Sequence, residues 1–126
     1  MNTRRINGDT LEILNGEEIV ISISEKMVDG QMHITVSGEI KNEVAHEFED
    51  ELMAAFSVCN VVKLDLSKVS YIASIAMRAL LSVQQIIDEN EAAALVITGV
   101  SKQVKETFDA SGFLDILNIE ERGGSI

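Results

Sequence analysis

The feature that most constrains the fold is a change of hydrophobic period that recurs along the chain. In residues 18–25, isoleucine recurs at every second position. A period of two residues is typical of a β-strand, so this segment predicts a strand. Residues 43–56 instead place apolar side chains every three or four positions, as an amphipathic helix does. Short apolar runs and helical segments continue to alternate from there. This alternation predicts an α/β fold.

The predicted order of elements is β-β-α-β-α-β-α-β. The turn signal Asp29-Gly30 separates the strand at 18–25 from a β-rich run at 32–36, so these two strands should form a hairpin. The remaining predicted elements are strands over 61–66, 92–98 and 116–120 and helices over 75–87 and 101–111, the last capped by Ser101 and Gly112. Residues 1–17 are expected to be irregular and charged, apart from a short strand over 9–14.

The helices between strands constrain the topology. A helical crossover returns the chain to the end of the sheet where the previous strand began, so the later strands are predicted to be parallel. Right-handed crossovers that step in one direction place the helices mainly on one face. A chain of 126 residues has the size of one domain. Its core is expected over residues 18–120, between a flexible N-terminal segment and a flexible C-terminal tail.

The net charge of the chain limits the kinds of partner that it can bind. The chain has 21 acidic residues against 10 Lys and Arg, a net charge of −11. This charge repels nucleic-acid phosphates and anionic lipid, so neither is expected as a partner. The single cysteine, Cys59, excludes an internal disulfide. No apolar run is long enough to span a bilayer, and no apolar segment follows the charged start of the chain, so we expect a cytoplasmic protein without a signal peptide.

Residues 61–81, VVKLDLSKVSYIASIAMRALL, resemble the signature of STAS domains, especially bacterial anti-sigma-factor antagonists. In that family a buried strand ends in a segment like Asp-Leu-Ser, and a phosphorylatable Ser or Thr opens an apolar helix. Residues 64–67 match the strand end, Val69 and Ile72 match apolar loop positions, and Ser74 falls at the phosphosite. Residues 36–40 resemble the family's Gly-Glu-Leu element, and residues 111–114 resemble its Thr-Gly-Leu turn.

The resemblance implies a STAS-like mixed sheet, no enzymatic activity and no cofactor. It implies a regulatory module that binds an anti-sigma factor or a related serine-kinase-like regulator. The expected contact surface is the loop and helix start formed by Ser70, Tyr71, Ala73, Ser74, Ile75 and Arg78, with Glu39 and Lys41 on a second loop. Phosphorylation of Ser74 would add about −1.5 to −2 charges and block the docked partner.

Three departures from the family pattern keep alternatives open. Ala73 stands where an acid commonly precedes the phosphosite, Ala76 where glycine is usual, and Lys41 where aspartate is usual. Ala73 and Lys41 favour a constitutive STAS subunit of a larger assembly, such as a transporter or a stress-sensing complex. A third hypothesis is an enzyme or a binder of an anionic metabolite, which the helix start at Ser74 alone would support.

Ser74 is also explained by local structure. A serine at a helix start is commonly the N-cap, whose oxygen accepts a backbone N–H. The same free N–H groups and the positive end of the helix dipole favour a phosphate, and Arg78 lies one turn further on. The residues therefore predict a helix cap, an anion site, or both.

Other residues that could carry chemistry have simpler interpretations. Glu43, His46 and Asp50 share one helix face, but a metal site of that kind needs matching ligands on other helices. The second histidine, His33, lies on a predicted strand, so we expect a solvated acidic face and no metal site. Cys59 has no basic neighbour and is interpreted as a buried filler. Tyr71 is the expected exposed aromatic and a candidate interface anchor.

Overall fold

The computed structural model of the chain describes residues 2–113 and 117–120. These residues contain six strands and three helices, which alternate only after the fourth strand, and a short 3-10 turn, Asn42–Val44, leads into the first helix. The strands are β1 (Asn2–Asn7), β2 (Thr10–Asn15), β3 (Glu18–Val28), β4 (Gln31–Ile40), β5 (Val61–Ile72) and β6 (Ala94–Val100); the helices are α1 (Ala45–Phe56), α2 (Ser74–Ile87) and α3 (Lys102–Ser111).

The strands form one mixed sheet in the order β1-β2-β3-β4-β5-β6. The first four strands are antiparallel meanders, whereas β4, β5 and β6 are parallel. The helices α1 and α2 lie in the two crossovers that parallel pairing requires. The predicted mixed sheet with parallel later strands is therefore confirmed, and the run at 61–66 belongs to a central strand.

The hairpin at Asp29-Gly30 is also confirmed. Both turn residues have positive φ, 52° for Asp29 and 80° for Gly30. This is the conformation that a two-residue hairpin turn with native twist requires. The strands on either side, β3 and β4, are both longer than the sequence pattern indicated.

The core lies on one face of the sheet. In β5, the alternate residues Val62, Leu64 and Leu66 are fully buried, whereas the residues between them are only half-buried. The helices α1 and α2 pack against each other, and Phe48 of α1, Leu80 of α2 and Phe108 of α3 belong to the same core cluster. The other face is polar, as an antiparallel sheet with one solvated face allows.

The N-terminal segment corrects the sequence analysis. The short strand expected over 9–14 is confirmed as β2, but the residues before it, expected to be irregular, form β1, and the hairpin β1–β2 continues the sheet beyond β3. Leu11 and Ile13 enter the core, so the core begins before residue 18. Most of β1 is exposed and five of its six residues are polar or charged, so it lacks the apolar alternation by which a half-buried strand is recognised.

The C-terminal region agrees in part. Ser101 caps α3 and Gly112 ends it in the left-handed conformation, both as predicted. Of the strand expected over 116–120, the described residues 117–120 form one isolated parallel bridge, between Ile97 and Ile119. Residues 114–116 and the predicted tail lie outside the described residues.

Gly38 is the residue at which a side chain is least tolerable. Its φ is +109°, and a Cβ there would collide with the carbonyl oxygen of Val20 in the neighbouring strand. We expect Gly38→Ala to lower the free energy of unfolding by about 3 kcal/mol or more, because backbone strain and overlap add. Gly16→Ala is the control, since Gly16 also has positive φ but open space around it. Urea unfolding measures both variants, and an equal decrease in the free energy of unfolding of the two would contradict this prediction.

A pair of acidic side chains, Glu25 and Glu51, joins β3 to α1. Burial raises the pKa of Glu25 to about 7, together with a side-chain hydrogen bond to Glu51 and the charge of Glu51. Arg4 of β1 lies 3.9 Å from the Glu51 carboxylate. The carboxyl pair, in which Glu25 resists ionisation, therefore links β3 to α1, and Arg4 brings β1 to the same place.

The raised pKa of Glu25 predicts a pH dependence. The folded protein keeps a proton on Glu25 that the unfolded chain releases near pH 4.5, so stability should fall as the pH rises from about 4.5 to about 7. Glu25→Gln should reduce this fall and be more stable than the wild type at pH 8. The matched control is Glu17→Gln on an exposed turn. Urea unfolding at pH 5 and pH 8 tests it, and parallel losses in all three proteins would contradict it.

Candidate functional site at the ends of β4 and β5

The candidate site is built where β4 and β5 end side by side. Glu39 pairs with Tyr71 and Ile40 with Ile72 in the parallel ladder. One residue further on, the Ala73 N–H donates to the Ile40 carbonyl at 2.8 Å. The end of β4 thus determines where β5 stops and α2 starts, and it brings the two predicted contact segments together.

The position of Tyr71 corrects one expectation. Ser70 and Tyr71 were placed in a loop, but both belong to β5, which extends to Ile72. Successive side chains of a strand point to opposite faces of the sheet, so Ile72 is buried whereas Tyr71 is 50% exposed. The prediction that Tyr71 is an exposed aromatic is confirmed, and the strand holds its backbone in place.

Ser74 does not cap the helix. It is the first residue of α2, and Ala73 occupies the N-cap position with extended backbone angles and no side-chain hydrogen bond. The prediction of a serine cap is therefore wrong by one residue, because the bond from Ala73 to Ile40 keeps Ala73 extended. Ala73 is buried, so its side chain cannot contribute to a contact surface. The Ser74 side chain is exposed and makes no hydrogen bond within the described residues.

The first turn of α2 is electrostatically open to an anion. It contains no acidic residue, and no side chain caps it. The Arg78 side chain lies one turn on, is exposed, and forms no ion pair with any residue that the structure describes. The positive end of a helix dipole, an unused guanidinium and an unbonded hydroxyl therefore occur together.

Glu39 and Lys41 were expected on a second loop, but Glu39 belongs to β4 and only Lys41 follows the strand. Their side chains form an ion pair. Lys41 Nζ lies 3.3 Å from a carboxylate oxygen of Glu39. The hydrogen bond and the charge of Glu39 raise the pKa of Lys41. Lys41 is thus held by Glu39 at the end of β4.

Ser101 is a positioning residue that the sequence analysis recognised only as a cap. Its hydroxyl accepts from the Val104 N–H at 3.2 Å and donates to the Val69 carbonyl at 2.5 Å. It therefore also ties the start of α3 to β5 shortly before Ser70. No pattern in the sequence indicates this second bond, since it joins residues far apart in the chain.

The remaining candidate residues do not form a site. His46 and Asp50 pair across one turn of α1 at 3.3 Å, with both side chains largely exposed. Within residues 2–113 and 117–120, no group of three or more His, Cys, Asp and Glu side chains could hold a metal ion. The half-buried Cys59 thiol donates to the carbonyls of Ala55 and Val61, and His33 is exposed on β4. No helix in the described part of the chain has the length and apolarity to cross a membrane.

Comparison with known proteins agrees with this geometry. The STAS domain family model matches residues 22–124, so the chain belongs to the STAS domain family. No curated protein matches by sequence.

Solved structures share the fold at low identity. An anti-sigma factor antagonist from Mycobacterium paratuberculosis is 18% identical, with a TM-score of 0.71 over 79% of this chain and 84% of that one. The Bacillus cell fate determinant SpoIIAA in its phosphorylated form is 13% identical, with a TM-score of 0.60 over 82% and 95% of the two chains. The unphosphorylated form of SpoIIAA has a TM-score of 0.66 at 13% identity, over 82% and 91%. The strands β1 and β2 precede the range that the family model matches.

The different environments of two serines predict different stability effects. Ser101→Ala should lower the free energy of unfolding by about 1–2 kcal/mol, because it removes a helix cap and a bond to β5. Ser74→Ala should change it by less than about 0.5 kcal/mol, because the hydroxyl is exposed and unbonded. Urea unfolding of both variants checks this, and a Ser74→Ala loss as large as that of Ser101→Ala would contradict the assignment of the cap to Ala73.

Proposed function

We propose that the chain is a non-enzymatic regulatory module that binds an anti-sigma factor or a related serine-kinase-like regulator. Membership of the STAS family and the fold shared with anti-sigma factor antagonists support this class of function. The observation that carries it is the exposed, unbonded Ser74 hydroxyl at an uncapped helix start, beside Arg78. The proposal extends to one domain acting in the cytoplasm, which the strongly acidic composition and lone cysteine favour.

The proposed contact surface surrounds Ser74. Tyr71 from β5 and Ile75 from α2 are each 50% exposed, so two large apolar side chains flank the hydroxyl. Aromatic and arginine side chains are frequent energetic anchors of protein interfaces, and Tyr71 and Arg78 fit that description. Ser70 lies at the edge of the same surface. A partner docked here would bury Ser74.

Phosphorylation of Ser74 would switch the module off. The unmodified form binds the partner, and a phosphate adds about −1.5 to −2 charges in the middle of the contact. The phosphate would be stabilised within the module by the N-terminal end of α2 and by Arg78. The phosphorylated form of SpoIIAA is among the solved structures that share this fold, which supports looking for such a form here.

A constitutive subunit of a larger assembly is the second candidate. Ala73 favours it, because this residue is buried as the helix cap and leaves no acidic side chain directly before Ser74. Under this alternative the same surface binds a partner permanently, and charge at Ser74 plays no regulatory role.

The experiment uses the partner that co-purifies with the tagged full chain from the source cells. We expect Ser74→Ala to bind it like the wild type but to resist labelling by the cells' kinase. Ser74→Asp should bind at least about tenfold more weakly while remaining folded, because an acid at a helix start is favourable by about 0.3–1 kcal/mol. Arg78→Ala should affect chiefly the phosphorylated form.

Thr3→Asp is the matched control, since it adds the same charge on the exposed strand β1. It should leave partner affinity unchanged by calorimetry. Equal affinity for the wild type and Ser74→Asp, with no labelling by the cells' kinase, would reject the switch and support the constitutive subunit. A partner that binds Tyr71→Ser and Ile75→Ser as well as the wild type would reject the surface itself.

A further inference from the structure

A groove lies at the end of α2 opposite Ser74. The helices α1 and α2 end side by side there, and a cavity of about 310 Å³ opens between their last turns and the start of β6. Its lining is Met53, Phe56, Ser57, Asn60, Ile86, Ile87, Asn90 and Ala93. Since α2 has 14 residues, its two ends are about 20 Å apart. The groove is therefore separate from the proposed Ser74 surface.

The groove and its margin expose several large apolar side chains to solvent. Ile86 is 50% exposed and Val58, beside the lining residue Ser57, is 66% exposed. Met53 and Phe56 are only half-buried in the same place. Several large apolar side chains gathered at one exposed depression are typical of a protein-binding surface.

The charges around the groove are arranged against the stability of the helices. Neither α1 nor α2 has a basic residue in its last turn. Asp88, Glu89 and Glu91 follow the end of α2, where the helix dipole is negative and a cation would be favourable. Asp88 accepts a hydrogen bond from Gln84 at 2.8 Å, but none of these three acids forms an ion pair with a described residue. The rim of the groove therefore carries several negative charges that no basic side chain of the described residues neutralises.

We propose that this groove is a second docking surface, which takes a positively charged amphipathic segment of a partner protein. The apolar side of such a segment would cover Ile86 and Phe56. Its Lys and Arg side chains would lie against Glu89, Glu91 and the carbonyl ends of the helices, where they relieve the unfavourable charge. A second copy of the same chain fits less well, because a symmetric contact through the groove would bring the same acids face to face.

The groove gives the module a use independent of Ser74. A partner at the Ser74 surface and a basic segment at the groove could be held at opposite ends of one helix. The groove would then recruit its partner whether or not Ser74 is phosphorylated.

The test uses a synthetic peptide of about 18 residues, long enough to form a helix, in which Leu and Lys alternate with the helical period. A Leu/Glu peptide of the same pattern is the charge control. Calorimetry should show that the full chain binds the Leu/Lys peptide and not the Leu/Glu peptide. Ile86→Ser should weaken binding by about tenfold. Ile19→Ser should not, since Ile19 is a comparably exposed isoleucine, 45%, on strand β3, which does not line the groove.

A second pair of variants separates the groove from general attraction to an acidic protein. The double variant Glu89→Lys and Glu91→Lys should weaken peptide binding by about tenfold or more while raising the melting temperature, because it places cations at a helix C-terminus. The double variant Glu17→Lys and Glu18→Lys makes the same change in net charge at the turn between β2 and β3. It should weaken binding only slightly.

Three outcomes would overturn the proposal. One is equal weakening by the two lysine double variants, which would mean attraction by net charge alone. Another is equal affinity of wild type and Ile86→Ser for the Leu/Lys peptide. The third is a dimer in sedimentation that Ile86→Ser dissociates, which would assign the groove to a second copy of the chain. None of these results depends on Ser74, so the proposed switch would stand or fall separately.

Discussion

The parallel pairing of β4 with β5 is the contact on which the rest of the structure depends. It requires a crossover, which places α1 over the sheet, and it runs far enough to align Glu39 with Tyr71. The last bond of the pairing region, from Ala73 to Ile40, holds the residue before α2 in an extended conformation. The close approach of β3 to Gly38 keeps β4 in place from its other side. The geometry of the Ser74 surface is therefore a consequence of backbone pairing.

A sheet covered on one face explains why the proposed contact residues lie at the ends of strands and helices. The buried side chains of β3, β4, β5 and β6 are committed to the core beneath the helices. Side chains at strand ends and helix termini are free of that packing and can change without unfolding the domain. The same architecture leaves the helix ends of α2 as the places where backbone groups and exposed apolar side chains meet solvent.

The two ends of α2 differ in charge in a way that runs against ordinary helix stabilisation. The start has no acid and carries Arg78, whereas the region after the end carries Asp88 and Glu89 and has no base in the preceding turn. Both arrangements are the reverse of what the helix dipole favours. Such a reversal costs a little stability, and partners or a phosphate of opposite charge would recover it. This shared electrostatic reason links the proposed switch at Ser74 with the proposed groove.

The sequence by itself determined the elements whose patterns are local. The amphipathic period of α1 and α2, the Asp29-Gly30 turn and the caps of α3 are all confirmed, because each depends on neighbouring residues and on rules of backbone geometry. The family signature around Ser74 is equally local, and it predicted the fold.

Tertiary structure decided what depends on distant residues. The strand β1 has no apolar alternation of its own, and only pairing with β2 makes it a strand. Ser74 does not occupy the N-cap position, because the Ala73 N–H donates a hydrogen bond to the carbonyl of Ile40, more than thirty residues earlier in the chain. The groove exists because the ends of α1 and α2 happen to be neighbours in space. Hydrophobic period specifies which residues are buried, but the partner of each backbone group is chosen only when the sheet is assembled.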